Sequence, residues 1–356
     1  GRFVAPKSVA KLTALNEFSN IFGKNFLMKK ILGIGNALVD VMTIIPDETC
    51  LNRFSLPKGS MTMVDAVRSG EIKQAINGLK RTLASGGSAG NTIYGLGIMG
   101  VHSSFIGKVG RDEFGNFYEK DMVDAGLTPV LIRSLQSPTG TAVALVTPDS
   151  ERTFATHLGA ATELSADELN MNYFKGYNIL YAEGYLIYNL PLVEKAFKIA
   201  KENRMCIALD LASFNVVNEM HPEFDRIVSE YVDIVFANEE EARAFTGLGP
   251  VDALNEMSQK CYIAVVKTGP DGSWIKRGDE VIKVDALKVK AIDTTGAGDL
   301  YAAGFLYGFS NGFSLDKCGL FGSILAGKVI EVIGARMPDE KWTEAKQLIR
   351  EIASEQ

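Results

Sequence analysis

From residue 29 onward, short apolar runs alternate with amphipathic stretches. The runs at 31–35, 103–107, 179–182, 206–211, 234–237 and 262–267 read as strands buried on both faces. The stretches at 89–99, 113–125, 190–203 and 238–246 read as the helices between them. Repeated strand–helix alternation predicts parallel strands joined by crossover helices, hence a three-layer α/β/α domain around a mainly parallel sheet. After residue 297 the rhythm changes to three successive helices, at 297–309, 315–332 and 339–353.

Two regions break this rhythm. Residues 39–45 with 59–64, and 141–147 with 152–157, alternate polar and apolar positions at the strand period with no helix between them. They predict a small antiparallel sheet apart from the main one, a β lid formed by roughly 39–64 and 137–157. With no internal repeat and no Pro-rich linker, the expectation is one domain over 28–356 with this lid inserted. Residues 1–27 carry basic and small residues with little periodicity, and Met28 precedes a clean strand. That segment reads as a leader, an expression extension or an upstream-start extension, and is set apart from the fold.

Composition narrows the function class. Of 356 residues, 46% are hydrophobic, enough for a large core, and the net charge is −6 with acids and bases interspersed. That balance argues against nucleic acid or a membrane surface as partner, and no apolar run approaches the roughly 20 residues that span a bilayer. Cys50, Cys206, Cys261 and Cys318 are far apart, without a C-x-x-C pair or a matching histidine cluster. This argues against a zinc site or a disulfide framework and favours a reducing cytoplasm. His102, His157 and His221 are scattered.

Two near-matches to phosphate-binding patterns fail on inspection. Gly33-Ile34-Gly35-Asn36-Ala37-Leu38 opens like the dinucleotide fingerprint, but Leu38 replaces the third glycine, and Arg53 and its neighbours stand where a ribose-binding acid belongs. The run from Gly322 to Val329 mimics a Walker A loop, yet Val329 cannot ligate Mg²⁺ and the run lies within a helical pattern. The informative stretch is Asp293-Thr294-Thr295-Gly296-Ala297-Gly298-Asp299, ahead of a helix. Small residues at a helix start leave backbone N–H groups free for a phosphate, and the helix dipole favours an anion. An aspartate there would repel a phosphate that was only bound. It fits if Asp299 takes a proton from an attacking hydroxyl while Gly296, Ala297 and Gly298 hold the transferring phosphoryl group. The competing reading is a helix cap reached through a glycine-rich turn.

The D-T-T-G-A-G-D run resembles the C-terminal signature of the PfkB/ribokinase family of carbohydrate kinases. Further matches follow in the family's order. They are Gly35-Asn36-Ala37-Leu38-Val39-Asp40, Gly86-Gly87-Ser88-Ala89-Gly90-Asn91, the segment from Gly107 to Gly115, Asn238-Glu239-Glu240-Glu241 and Lys267-Thr268-Gly269-Pro270-Asp271-Gly272. The resemblance implies a ribokinase-like fold and an ATP- and Mg²⁺-dependent phosphotransferase acting on a sugar or nucleoside hydroxyl. It implies that Asp40 and Asn91, assisted by Asn36, hold substrate hydroxyls, with Gly86, Gly87 and Ser88 bringing the backbone close. Ser88 also reads as a helix N-cap. On the nucleotide side it implies Asn238, Glu241, Lys267, Gly269 and Gly272, with Glu241 orienting Mg²⁺ through water, although Asn238 reads equally as an N-cap. Arg152 matches a family arginine that reaches the phosphates, or is a solvated strand charge. Family members often use K⁺ beside the phosphoryl loop, which would involve Asp293 and Thr295; Asp293 also reads as a simple turn acid.

Within the family, the motifs look most like those of adenosine kinases and related bacterial sugar kinases. Phe154 and Tyr185 are candidates to sandwich a base, or are plain core and lid packing. With no Lys/Arg cluster for a phosphorylated sugar, a nucleoside, adenosine first, leads over a free sugar such as ribose or fructose. A non-catalytic ligand-binding regulator would have lost the base or the glycine loop, and both are intact. Either a monomer or a homodimer is compatible with an exposed lid.

Overall fold

The computed structural model describes residues 29–149 and 151–354, so the segment 1–27 lies outside the described residues. Among the described residues nine strands form the main sheet: β1 (Ile31–Ile34), β5 (Ser103–Val109), β6 (Val130–Arg133), β9 (Ile179–Glu183), β10 (Cys206–Asp210), β11 (Ile234–Asn238), β12 (Ile263–Lys267), β13 (Ser273–Arg277) and β14 (Glu280–Val284). Their order across the sheet is β14-β13-β12-β11-β10-β9-β1-β5-β6. The pairs from β12 across to β6 are parallel, and β12, β13 and β14 pair antiparallel at one edge.

Strand alternation sorts the core into two layers. Ile31, Phe105, Tyr181 and Phe236 pack on one face with the helices Ser88–Ile98, Ala297–Ser310 and Leu315–Val329. Their neighbours Leu32, Ile106, Leu180 and Val235 pack on the other face with Leu190–Glu202, His221–Tyr231 and Pro250–Met257. The chain leaves β1 toward β5 on one side and later returns to β9 on the other. The carboxyl end of β1 is therefore a topological switch point, where open α/β sheets form their clefts.

The second sheet has the order β3-β8-β7-β2-β4, with β2 (Leu38–Ile44), β3 (Met61–Met63), β4 (Arg81–Gly86), β7 (Gly140–Val146) and β8 (Arg152–His157). It stands apart from the main sheet as expected. The pairs β2/β4 and β7/β8 are antiparallel, while β2/β7 and β3/β8 run parallel. Residues 39–45 and 59–64 therefore do not pair with each other; β4, which shows no clean alternation in Arg81-Thr82-Leu83-Ala84-Ser85-Gly86, takes that place.

Other expectations shift in detail. The penultimate helix ends at Val329 rather than 332, because the chain turns at Ile330, whose carbonyl accepts the Ile292 and Asp293 amides at 2.7 and 3.2 Å. The Walker-like run lies inside that helix, with Gly322 packed on Tyr301. Among the described residues no helix is long and apolar enough to cross a membrane.

Candidate active site

A cavity of ≈ 1410 Å³ opens over the carboxyl ends of β10, β11 and β12, between the second sheet and the C-terminal helices. Single small-molecule sites run to about 1,000 Å³, so this one has room for two ligands. Strand register builds its upper wall. Asp40 on β2 lies beside Ala142 on β7, and Ala142 faces Thr156 on β8, so the three form one row across the cavity face. Phe154, two residues from Thr156, lies beside Met61 of β3, and both line the same space. The opposite wall comes from Leu287, Ala326 and Ile330.

The centre is made where two helix N-termini meet. Asp299 lies in the first turn of Ala297–Ser310, with Gly296 as the cap residue, so Asp299 is not itself the cap. Its carboxylate accepts from Ser88 Oγ at 2.7 Å and from Asn91 Nδ2 at 2.8 Å, while Thr92 Oγ1 donates to its backbone carbonyl at 3.0 Å. Burial pushes the Asp299 carboxyl up to about 6, partly offset by those two donors. A carboxylate so held can take a proton near neutral pH. Beside it, the first-turn amides of the helix lack acceptors within the helix and present a site for an anion. Ser88 is the first helical residue, not an N-cap; Gly87 precedes it at φ 87°, where an added Cβ would meet Asn36 O at 2.0 Å.

Asp40 is pushed up to about 6 by burial, with Arg336 pulling it back and Asp299 adding to the rise. Gly86 makes room for it, since a Cβ there would lie 2.5 Å from Asp40 Oδ1. Asn36 is drawn elsewhere. Its N–H and Nδ2 donate to Glu183 Oε1 at 3.0 and 2.6 Å, and it does not line the cavity. Glu183 is 1% exposed, takes the Ala89 amide on its other oxygen at 2.8 Å, and is raised by burial to about 7. It ties the turn after β1 to the start of the Ser88–Ile98 helix, so Asn36 supports the site from behind. The 107–115 segment is also structural: Asp112 caps Glu113–Asp124 and accepts from Thr139 N and Oγ1 at 2.7 and 2.6 Å.

On the floor, Lys267 at the end of β12 donates to Asp210 at the end of β10 at 2.8 Å. Burial would lower the lysine's pKa, but Asp210 and Glu241 more than offset it. Asn238 caps Glu239–Thr246, and Glu241, 3% exposed, accepts both Asn238 N and Nδ2 at 2.7 Å. The capping reading therefore holds for this pair. Burial and Asp210 hold the Glu241 carboxyl well above its usual range. Gly269, Gly272 and Thr295 line the cavity, and Tyr185, 38% exposed, lies at its rim.

Arg152 pairs with Asp293, so it is not a solvated strand charge. Asp293 also accepts from Gly334 N at 2.6 Å and from Thr295 N and Oγ1 at 3.0 and 2.8 Å. Burial would raise its carboxyl, but Arg152 and these donors hold it at about 2. Neither Arg152 nor Asp293 is in the cavity wall.

Residues that motif matching passed over are Arg336, Asp210 and Glu183. Asp210 and Glu183 each end an apolar strand run at its carboxyl end, the position where open sheets put functional groups. Arg336 carries no such signal.

A family model described as pfkB family carbohydrate kinase matches residues 56–342. An adenosine kinase of Saccharomyces cerevisiae is 27% identical over 337 residues, covering 88% of this chain and 98% of the relative. Among solved structures, adenosine kinase from Sinorhizobium meliloti shares 33% identity with a TM-score of 0.78, over 90% of this chain and 100% of that one. A probable sugar kinase from Rhizobium etli CFN 42 shares 32% identity with a TM-score of 0.79, over 90% and 98%.

Proposed function

Because the chain belongs to the pfkB family of carbohydrate kinases and is thus a sugar or nucleoside kinase with ATP as co-substrate, we propose that its acceptor is a nucleoside, adenosine foremost, phosphorylated at the 5′-hydroxyl. The observation that carries this reading is the cavity face of the second sheet. Its lining residues are Asp40, Met61, Ala142, Phe154 and Thr156, with no lysine or arginine among them; Arg152, in line with Phe154 and Thr156 on β8, is turned to Asp293. An apolar and aromatic wall suits a nucleobase, whereas a sugar phosphate would want a cation. The free-sugar kinase is the second reading, favoured by sugar kinases among the relatives in sequence and structure.

The residues divide the work as follows. Asp40 and Asn91 hold the ribose hydroxyls. Asp299 takes the proton of the attacking hydroxyl as its oxygen forms a bond to the γ-phosphorus. The bond from that phosphorus to the β-phosphate oxygen breaks, and ADP leaves. The backbone amides of Gly296, Gly298 and Asp299, and that of Ala297 once released from the Thr294 carbonyl, meet the charge on the transferring group. On this reading Lys267 and, on release from Asp293, Arg152 meet the phosphates. The floor brings the acidic side chains of Asp210, Glu241 and Asp299 together beside Lys267. A triphosphate would enter this acidic floor only with counter-cations, and Glu241 would hold Mg²⁺ there. When bound, Mg²⁺ supplies charge neutralisation on the phosphates. Asp293 and Thr295 fit a K⁺ site less well. Both oxygens of Asp293 are taken by protein donors. Among the described residues none of the four cysteines is in a disulfide, which suits the cytoplasm.

A panel of nucleosides, free sugars and sugar phosphates, read by ADP release, tests the reading. Adenosine or another ribonucleoside is expected to give the highest kcat/KM. A free hexose ahead by tenfold would replace the nucleoside reading with the sugar reading.

A further inference from the structure

The residue with the most unexplained connections is Arg336, in the loop 330–338 that follows the Leu315–Val329 helix. This loop is stitched to the phosphoryl-transfer loop, through the Ile330 carbonyl and through Gly334 N on Asp293 Oδ2. From it Arg336 reaches back beneath the second sheet, its side chain only 17% exposed. Nη1 donates to Asn91 Oδ1 at 3.0 Å; Nη2 donates to the Ser85 carbonyl and to Ser85 Oγ, the latter at 2.7 Å. The guanidinium lies 3.7 Å from the Tyr94 ring centroid, a cation–π contact that fixes its plane. Nε lies 4.0 Å from Asp121 Oδ2, and that same oxygen accepts Ser85 N and Oγ.

We infer that Arg336 is a positioning residue for phosphoryl transfer, acting through the Asn91 amide on Asp299; this rests on Asp299 being the base, as proposed above. An asparagine amide has a carbonyl end and an amine end of nearly the same shape. Arg336 claims the carbonyl end, so the amine end is delivered to Asp299 Oδ2. A cation on the oxygen also polarises the amide and strengthens the N–H that it donates. Arg336, Asn91 and Asp299 thus form a relay in which a fixed cation sets the direction and strength of one of the two hydrogen bonds holding the base. Ser88 Oγ supplies the other. Without Arg336, Asn91 Oδ1 is free to turn toward an acceptor hydroxyl, and Asp40 loses a cation that favours its ionised form.

A plain structural arginine would tether the same segments, so the test is a double-mutant cycle. Arg336→Met keeps the aliphatic stem. Turnover is measured with ATP and the acceptor ranked first in the panel, adenosine on the reading above. Losing a charged hydrogen-bond donor is expected to lower kcat/KM roughly 10–100-fold. In the Asn91→Ala background the further loss should be about threefold or less, because the relay is already broken. Arg336→Lys, which keeps the charge and one donor, should recover part of the loss. Equal fold losses in both backgrounds, or a lysine variant no better than methionine, would overturn the inference. Thermal unfolding is followed throughout. If Arg336→Met does not fold, the cycle is run with Arg336→Lys under the same criterion. Asp299→Asn run in parallel separates the two claims. If it turns over normally, the base reading fails; if it collapses while the cycle is additive, only the role of Arg336 falls.

Discussion

Gly86→Ala tests how the substrate grip is built. Gly86 ends β4, opposite Leu38 on β2, at a position where an L side chain needs no unusual φ. The cost of the substitution therefore comes from the space it needs, and that space belongs to Asp40, whose Oδ1, Cγ and Oδ2 would lie 2.5, 2.6 and 2.7 Å from the new Cβ. Carbon–oxygen contacts that short cannot persist, so the carboxylate must swing away from the cavity. Overpacking of this kind costs about 1–3 kcal/mol of stability. A displaced carboxylate forfeits a charged hydrogen bond to the acceptor, about 1.5–3 kcal/mol, or roughly 10–100-fold in acceptor KM. Steady-state kinetics should show that rise with the KM for ATP changed less than about twofold, since Asp40 does not contact the nucleotide floor. Adding Asp40→Ala should make the alanine at 86 harmless: the double variant should match the Asp40→Ala single in melting temperature. An unchanged acceptor KM in Gly86→Ala, or a stability loss that survives removal of Asp40, would refute the reasoning.

Two further outcomes follow from the buried carboxylates. Asp299 must be ionised to accept a proton and its carboxyl sits at about 6, so kcat should rise about tenfold per pH unit below 6 and level off above it; a profile flat from pH 5 to 8 would contradict this. The folded-state pKa of Asp299 lies above its unfolded value of about 3.9, so the native state holds the extra proton between roughly pH 4 and 6 and loses stability as pH rises through that window. Asp299→Asn should accordingly be more thermostable than wild type at pH 8, by up to about 3 kcal/mol, and no more stable at pH 4; the same melting difference at both pH values would count against the burial argument.

Most of the parallel part of the main sheet was legible because strands buried on both faces are predominantly apolar, as in Ile31-Leu32-Gly33-Ile34. What escaped were strands whose environment is mixed. β6 is half-buried at all four positions, and β4 exposes Arg81 and Thr82 while burying Ser85 and Gly86. The β13/β14 hairpin turns on Gly278-Asp279 between alternating strands, a signal that was present and passed over. The site was legible where chemistry needs a residue type in a fixed local spacing, as in the run ending at Asp299. The acceptor that takes Asn36, Glu183, is 147 residues away in the chain, so this bond left no local signal. Arg336 was invisible for the same reason, since its partners Ser85 and Asn91 are 251 and 245 residues distant. The Arg152–Asp293 pair likewise joins the second sheet to the loop only in three dimensions.

The central claim is that Asp299 accepts the proton of the attacking hydroxyl. Asp299→Asn keeps the side chain's shape and can still meet Ser88 or Asn91 through its oxygen, but cannot take the proton. Single-turnover and steady-state ADP release, alongside equilibrium binding of ATP and adenosine, give the test. The account predicts a folded protein that binds both ligands within a few-fold of wild type, with kcat lower by roughly 10²–10⁴-fold. Turnover close to wild type, with both ligands bound, would contradict it.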